Sequence, residues 1–228
     1  MATSSPTRPQ ITHQGPPLLL PALTYTALVF AGVAMLRAVF AIPAEADAQV
    51  SAYITEHSKQ IQWGSFCEFG SAIPLGVFLA TLVSRLQFFR VKAAGVTIAL
   101  VGGLGAMSML LLSGLSAWSL TRPGIATSDS AVRILKALSF ATGGPGFVVP
   151  LGLFVAGISL TAGLYRFIPR WLMILGLVIA VACELASFTL VYWNAAFFIP
   201  FGRFIGIVWM LGIALTLPRR IAAERAER

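Results

Sequence analysis

The chain has 228 residues, of which 57 % are hydrophobic and 11 % are charged, and its formal net charge is +8. Soluble domains carry about 25 % charged residues, so this composition excludes a soluble globular domain. The sequence therefore predicts an integral membrane protein, in which the basic excess sets orientation in the bilayer and requires no nucleic-acid partner.

Six apolar stretches are long enough to cross a bilayer, which takes about 20 residues of helix. Short segments rich in proline, glycine or basic residues separate them. The prediction is an all-α fold, a polytopic transmembrane helix bundle with six spans. The predicted spans are Pro17–Ile42, Ile61–Val83, Val91–Leu120, Leu138–Leu164, Trp171–Tyr192 and Ala196–Leu217.

The chain divides into a six-helix transmembrane domain, residues 17–218, and two polar ends. Residues 1–16 are mostly polar and proline-containing and are predicted to be disordered, and residues 219–228 form a basic tail. Ten Lys and Arg residues fall on the side of both termini and four on the other side. By the positive-inside rule we expect a bacterial inner-membrane protein with both termini in the cytoplasm.

The first span could instead be a signal peptide, because Ala41–Ala48 (AIPAEADA) has the small residues of a cleavage site. Its apolar region is about 25 residues long, whereas the hydrophobic core of a signal peptide has about 7–15. A retained span is therefore the prediction, and cleavage is the alternative.

The segment after the first span carries apolar residues at helical spacing, namely Val50, Tyr53 and Ile54, followed by His57. This pattern predicts an amphipathic helix that lies on the membrane surface or continues into the second span. In a continuous helix His57 would lie about three turns from Glu68 on the same face.

Four charged residues lie inside the predicted spans, where each costs about 2.5–3.5 kcal/mol on insertion scales. They are Arg37, Glu68, Glu184 and Arg203. At about 1.5 Å per residue all four fall in the outer half of the bilayer. The first and second spans carry one Arg and one Glu at matching depth, and so do the fifth and sixth spans. The hypothesis is that Arg37 pairs with Glu68, and Glu184 with Arg203, around an outward-facing polar pocket.

A serine follows each glutamate on the same helix face, Ser71 after Glu68 and Ser187 after Glu184. These small hydroxyl side chains leave room for water or a ligand, and they complete the predicted ligand-binding site. The sequence predicts no catalytic residues, no metal site and no cofactor, since its two histidines lie outside the spans and no nucleotide-binding or hydrolase motif occurs.

The fourth span contains GGPGFVVP (Gly143–Pro150), in which prolines lack the backbone N–H and glycines weaken the helix. Non-helical backbone at membrane depth persists only where protein buries it or a wet cavity adjoins it, and broken helices mark binding sites in transporters. A proline kink without function is the alternative. The predicted hinge or kink residues are Pro74, Gly143, Gly144, Pro145, Gly146 and Pro150.

Small residues recur every four positions on the third span, at Gly95, Ala99 and Gly103, with Gly102 beside them. Such spacing lets helix backbones approach closely. Packing within the chain is the favoured interpretation, and contact with a second copy is the alternative.

The last third of the chain reads RFIPRWLMILGLVIAVACELA…FGRFIGIVWMLGIALTLPRR. This arrangement resembles a pattern in uncharacterised bacterial multi-pass membrane proteins with six helices. An aromatic-x-Pro-Arg-Trp-Leu helix start is followed by a short outer turn and a closing Trp-containing helix with terminal arginines. The resemblance implies a bacterial six-helix membrane protein and brings no chemistry with it.

The leading functional hypothesis is binding or transport of a small solute or ion through the outward-facing polar pocket. A non-catalytic membrane scaffold or partner subunit, in which the charged pairs only hold helices together, is the first alternative. A membrane enzyme acting on a lipid or quinone is the second. The expected partners are membrane lipid, a small-molecule or ion ligand and, as an alternative, a second copy of the chain.

Overall fold

The computed structural model describes residues 10–40 and 47–222 of the chain. Six helical segments in these ranges are long and apolar enough to cross a membrane, which confirms the all-α bundle with six spans. The last two residues of the first predicted span, and most of the cleavage-like segment Ala41–Ala48, lie outside the described residues. The segments are Leu19–Arg37, Ser58–Phe88, Ala94–Ser119, Asp129–Leu164, Arg170–Leu190 and Trp193–Thr216.

The described part of the chain forms nine α-helices, and two short strands flank them. The fifth span runs from α7 into a 3₁₀ segment, Ala186–Leu190, and the sixth contains a second 3₁₀ segment, Trp193–Phe197, and a π-helical turn, Phe201–Ile205. The elements are β1 (Gln10–Thr12), α1 (Leu19–Phe40), α2 (Asp47–Glu56), α3 (Ser58–Phe88), α4 (Ala94–Ser119), α5 (Asp129–Gly143), α6 (Pro145–Leu164), α7 (Arg170–Leu185), α8 (Phe198–Pro200), α9 (Gly206–Thr216) and β2 (Arg220–Ala222).

The helices pack in a chain of neighbours, with α3 between α1 and α4, and α6 between α4 and α7. A main hydrophobic cluster runs through these contacts and includes Phe78, Phe154 and Trp209, all fully buried. Large apolar side chains such as Val101 and Val181 point outward and stay exposed. An apolar exterior of this kind suits lipid as the surrounding solvent.

A second, smaller hydrophobic cluster lies at one end of the bundle and is built partly from α2. Val50 and Ile54 of the amphipathic helix are buried there, against Leu36 and Val39 of α1. His57 lies between α2 and α3, where its ring nitrogen Nδ1 is 2.9 Å from the carbonyl oxygen of Tyr53. The predicted amphipathic segment is thus an end cap of the bundle.

The small-residue stripe of α4 packs inside the chain. A Cβ at Gly102 would lie 2.6 Å from the Phe154 nitrogen and 2.6 Å from the Pro150 oxygen, both on α6. A Cβ at Gly95 would lie 3.0 Å from the carbonyl oxygen of Gly157. The α4 and α6 backbones therefore touch, as close helix packing through glycine allows.

The two ends of the described chain meet at the opposite end of the bundle from α2. Strands β1 and β2 pair antiparallel, with Ile11 opposite Ile221. Residues 10–12, which belong to the segment predicted to be disordered, form β1 in the structure. The guanidinium of Arg85, only 1 % exposed, donates to the carbonyl oxygen of Leu217 at 3.3 Å and thereby caps the C-terminal end of α9.

His13 makes this terminal ribbon sensitive to pH. Its Nε2 lies 3.1 Å from the Ser84 hydroxyl, and burial, followed by the positive charges of Arg85 and Arg219, lowers the pKa of His13. The folded chain thus binds the His13 proton more weakly than the unfolded chain, where the pKa is about 6.5. Stability from this residue is complete above that value and is lost as the pH falls below it.

We expect the protection factors of the amides in residues 10–12 and 220–222, in which the intrinsic pH dependence of exchange is already divided out, to fall between pH 7 and pH 5. The fall should be smaller in His13→Gln, which cannot take up a proton. An equal fall in both proteins would contradict this role of His13.

Candidate functional site

A cavity of about 120 Å³ interrupts the apolar core between the two hydrophobic clusters. A water needs about 10–15 Å³ of such space, so the cavity has room for several waters or one small molecule. Its walls come from α1, α3, α4, the α5–α6 junction and the sixth span, in the half of the bundle away from the termini. The lining residues are Val29, Gly32, Val33, Leu36, Val39, Glu68, Ser71, Leu110, Ser113, Ser139, Phe140, Gly143, Gly144, Ile199 and Arg203.

Glu68 reaches the cavity from the buried face of α3, and its side chain is 10 % exposed. Helices α1 and α4 cross α3 closely on either side of Glu68. A Cβ at Gly32 of α1 would lie 3.3 Å from the Glu68 nitrogen, and a Cβ at Gly114 of α4 would lie 2.9 Å from the Phe69 nitrogen. Glycine at these crossings lets three helices converge at the level of the carboxylate.

Arg203 faces Glu68 from the π-helical turn of the sixth span, a helix irregularity that is frequent at functional sites. Its Nη2 lies 3.9 Å from Glu68 Oε1. The guanidinium also donates to the carbonyl oxygen of Gly143 and lies 5.0 Å from the ring centre of Phe147. Because hydrogen bonds of this type span about 2.7–3.2 Å, the two charges attract each other without a direct hydrogen bond.

The fourth span is broken at the cavity. Helix α5 ends at Gly143 and α6 begins at Pro145, with Gly144 between them in a non-helical conformation. A Cβ at Gly143 would lie 3.1 Å from Glu68 Oε1 and would clash with the Ser113 hydroxyl. The C-terminal end of one helix and the N-terminal end of another therefore adjoin the same cavity.

Three serine side chains add polar groups to the wall. The Ser113 hydroxyl donates to the carbonyl oxygen of Ser139 at 3.1 Å, and the Ser71 hydroxyl donates to that of Glu68 at 2.6 Å. No group of three or more His, Cys, Asp or Glu side chains in the described ranges is arranged to hold a metal ion. The polar groups available to a ligand in the cavity are one carboxylate, one guanidinium, hydroxyls and backbone carbonyls.

The predicted pairing of the four intramembrane charges is wrong. In the structure Glu68 pairs with Arg203, whereas Arg37 and Glu184 are exposed and line no part of the cavity. Ser187 also lies outside it, since its hydroxyl donates to the carbonyl oxygen of Glu184 at 2.6 Å. The physical reason is rotation about the helix axis, because each residue turns a helix by about 100°.

The buried stripes of the helices show this rotation. On α1 the buried position is Leu36, which leaves Arg37 on the outer side. On α7 it is Cys183, fully buried, which turns Glu184 outward. Glu68, in contrast, follows Ile61 by seven residues on the buried face of α3. Matching depth is therefore not enough for pairing.

Only some of the predicted hinge or kink residues lie at a break in a helix. Gly143, Gly144 and Pro145 form the break between α5 and α6, and Gly146 lies in the first turn of α6. Helix α3 continues through Pro74, and α6 continues through Pro150.

Sequence reasoning missed Ser113 and Ser139, which the structure brings to the cavity. Ser113 lies three residues after Leu110 on the buried face of α4, and Ser139 lies seven residues after Val132 on that of α5. A polar residue within a buried apolar stripe is the signal that would have found them.

No family model matches the chain, and no curated protein or solved structure is significantly similar to it.

Proposed function

We propose that the protein binds a small solute in the cavity between Glu68 and Arg203 and moves it across the membrane. One observation carries the proposal: the two charges border a partly open space of about 120 Å³ and lie 3.9 Å apart, too far for a direct hydrogen bond. Both side chains can still form hydrogen bonds, and the space beside them can hold a solute whose polar groups form those bonds.

The energetics favour a use beyond holding helices together. A buried ion pair gains little stability over well-packed apolar residues, because desolvating two charges offsets their attraction. Intramembrane ionisable residues most often mark ligand, ion or proton pathways. The broken helix adds support, since discontinuous helices form the substrate sites of several transporter folds.

The proposal includes a bacterial inner-membrane location with both termini in the cytoplasm. It is supported by the excess of Lys and Arg on the side of the termini and by the pairing of β1 with β2, which brings both ends of the described chain to one end of the bundle. In this orientation the cavity lies in the outer half of the membrane.

A structural role has one specific observation in its favour. Arg203 donates to the carbonyl oxygen of Gly143, one of the carbonyl groups left without a helical partner where α5 ends. In that case the pair would only join the sixth span to the broken fourth span. The two roles differ in whether water reaches the cavity.

A cysteine-labelling experiment separates them. Cys67 and Cys183 are replaced by alanine, and Ser113→Cys is introduced at the cavity wall. The control is Ala106→Cys, a fully buried position two turns away on the same helix and outside the cavity. Both proteins are treated with the small water-soluble reagent 2-aminoethyl methanethiosulfonate in lipid nanodiscs.

We expect Ser113→Cys to react at least ten times faster than Ala106→Cys, because the cavity exchanges with water. Equal, slow reaction at both positions would contradict a solute-binding cavity and favour the structural role.

A further inference from the structure

We infer that the solute is a small aliphatic amino acid in its zwitterionic form, with its ammonium group at Glu68 and its carboxylate at Arg203. This inference rests on the proposed function and specifies its substrate class. It follows from three features of the cavity: its charges, the helix ends beside it and its apolar wall.

The charges of the described lining sum to zero, with one carboxylate at Glu68 and one guanidinium at Arg203. A ligand with net charge would leave an unpaired charge in a low-dielectric site, which is costly. A zwitterion instead exchanges one loose ion pair for two closer ones. Its ammonium offers three donors to carboxylate and carbonyl oxygens.

Arg203 has donors to spare for a carboxylate. Of its five N–H groups, one is donated to the carbonyl oxygen of Gly143, and Nε is buried without a partner among the described residues. Guanidinium groups bind carboxylates with geometry that lysine does not match. The carboxylate end of the ligand is thereby assigned to this side of the cavity.

The broken fourth span supports the same assignment. The end of α5 at Gly143 presents the negative pole of a helix dipole, which favours an ammonium group, and the start of α6 at Pro145 presents a positive pole, which favours a carboxylate. Both poles adjoin one cavity, since Gly143 and Gly144 line it. In transporter sites with discontinuous helices, half-helix N-termini point at anionic substrate groups and half-helix C-terminal ends coordinate cations.

The remaining wall suits a short aliphatic side chain. It is formed largely by the apolar residues Val29, Val33, Leu36, Leu110 and Ile199. A volume of about 120 Å³ suits a small molecule and leaves little space for a long charged side chain. Leucine, with its branched side chain, is a suitable probe.

The experiment compares three probes that differ only in their charged groups. L-leucine carries both charges, 3-methylbutan-1-amine lacks the carboxylate, and 4-methylpentanoate lacks the ammonium. Binding of tritiated L-leucine to purified protein in nanodiscs is measured directly, and the two analogues compete with it or are measured by their own labels. We expect each analogue to bind at least ten times more weakly than L-leucine.

Variants locate the binding. Glu68→Gln should weaken L-leucine at least ten-fold because the ammonium contact is lost. It should not weaken 4-methylpentanoate, because Arg203 then has no competing carboxylate in the cavity. Val33→Trp should block binding, since Val33 is 37 % exposed at the cavity edge and a larger ring fills the space. Phe30→Trp, three residues earlier on the exposed side of α1, is the control and should bind normally. The Val33 and Phe30 pair keeps the test valid if Glu68→Gln does not fold.

The outcomes separate this inference from the proposed function. If a single-charge analogue binds wild type as tightly as L-leucine, and Val33→Trp blocks it, the cavity binds solutes but the zwitterion assignment is wrong. If none of the three probes binds while Ser113→Cys is water-accessible, the assignment of the solute as a small aliphatic amino acid is wrong, and the proposed function still stands. If Ser113→Cys is inaccessible, the proposed function itself fails.

Discussion

Replacing Arg203 by glutamine is expected to lower the free energy of unfolding by about 3–5 kcal/mol, the cost of removing one partner of a buried ion pair. The carboxylate of Glu68 then loses its opposite charge in a site where its side chain is only 10 % exposed. The Gly143 carbonyl oxygen at the end of α5 loses its donor as well. The measurement is reversible unfolding in mixed detergent micelles.

The converse variant, Glu68→Gln, should cost less than Arg203→Gln. The guanidinium keeps the Gly143 carbonyl and the face of the Phe147 ring, 5.0 Å away. The double variant should cost less than the two single variants together, by about 0.5–3 kcal/mol, as for residues in contact.

Arg37→Gln and Glu184→Gln are the matched controls, because they remove the same charges from exposed positions. Neither should lower the free energy of unfolding by more than about 0.5 kcal/mol, because no buried ion pair is broken. A large cost for Arg37→Gln, together with energetic coupling to Glu68, would contradict the pairing seen in the structure.

Gly102→Ala is the second substitution with a large expected effect, and it should cost about 1–3 kcal/mol, the typical cost of overpacking. The new Cβ would lie 2.6 Å from backbone atoms of Phe154 and Pro150. Backbone atoms cannot change rotamer, so α4 and α6 must separate. Because α6 begins at the cavity, this variant should also disturb solute binding.

Gly70→Ala is the control for this effect. Its Cβ would meet only Leu28 Cδ1, at 3.9 Å, which is ordinary van der Waals contact. Since alanine is also the better helix former, Gly70→Ala should be neutral or stabilising. Equal unfolding free energies for the two variants would show that the α4–α6 contact is looser than described.

Much of the fold follows from the sequence because sequence patterns locate residues well along the helix axis. Apolar length located all six spans, and the Gly-Gly-Pro-Gly run located the break between α5 and α6. The depths of Glu68 and Arg203 follow from the helical rise. The sequence predicts both as site residues on that ground, and both line the cavity.

The pairing of the charges depends on which way each side chain faces and on which helices are neighbours, and position along the helix axis gives neither. Depth alone predicts Arg37 and Glu184 as site residues, but the neighbouring Leu36 and Cys183 occupy the buried faces of their helices. The partner of Glu68 is Arg203 of the sixth span, whose helix α9 also packs against α1. Which helices become neighbours is a tertiary property that the order of spans does not determine.

Arg85 illustrates the same limit. It lies between the second and third predicted spans and resembles an ordinary interfacial arginine. The structure buries it at the end of α9, where it caps Leu217. Its role depends on a helix 132 positions away in the chain.

The most direct test of the account is an electron cryo-microscopy structure in lipid nanodiscs, determined with and without added L-leucine. We predict that Glu68 faces Arg203 across a hydrated cavity beside the α5–α6 break, and that added L-leucine produces new density between the two side chains. Helices packed without space at this level, or Glu68 paired with Arg37 instead, would contradict the account.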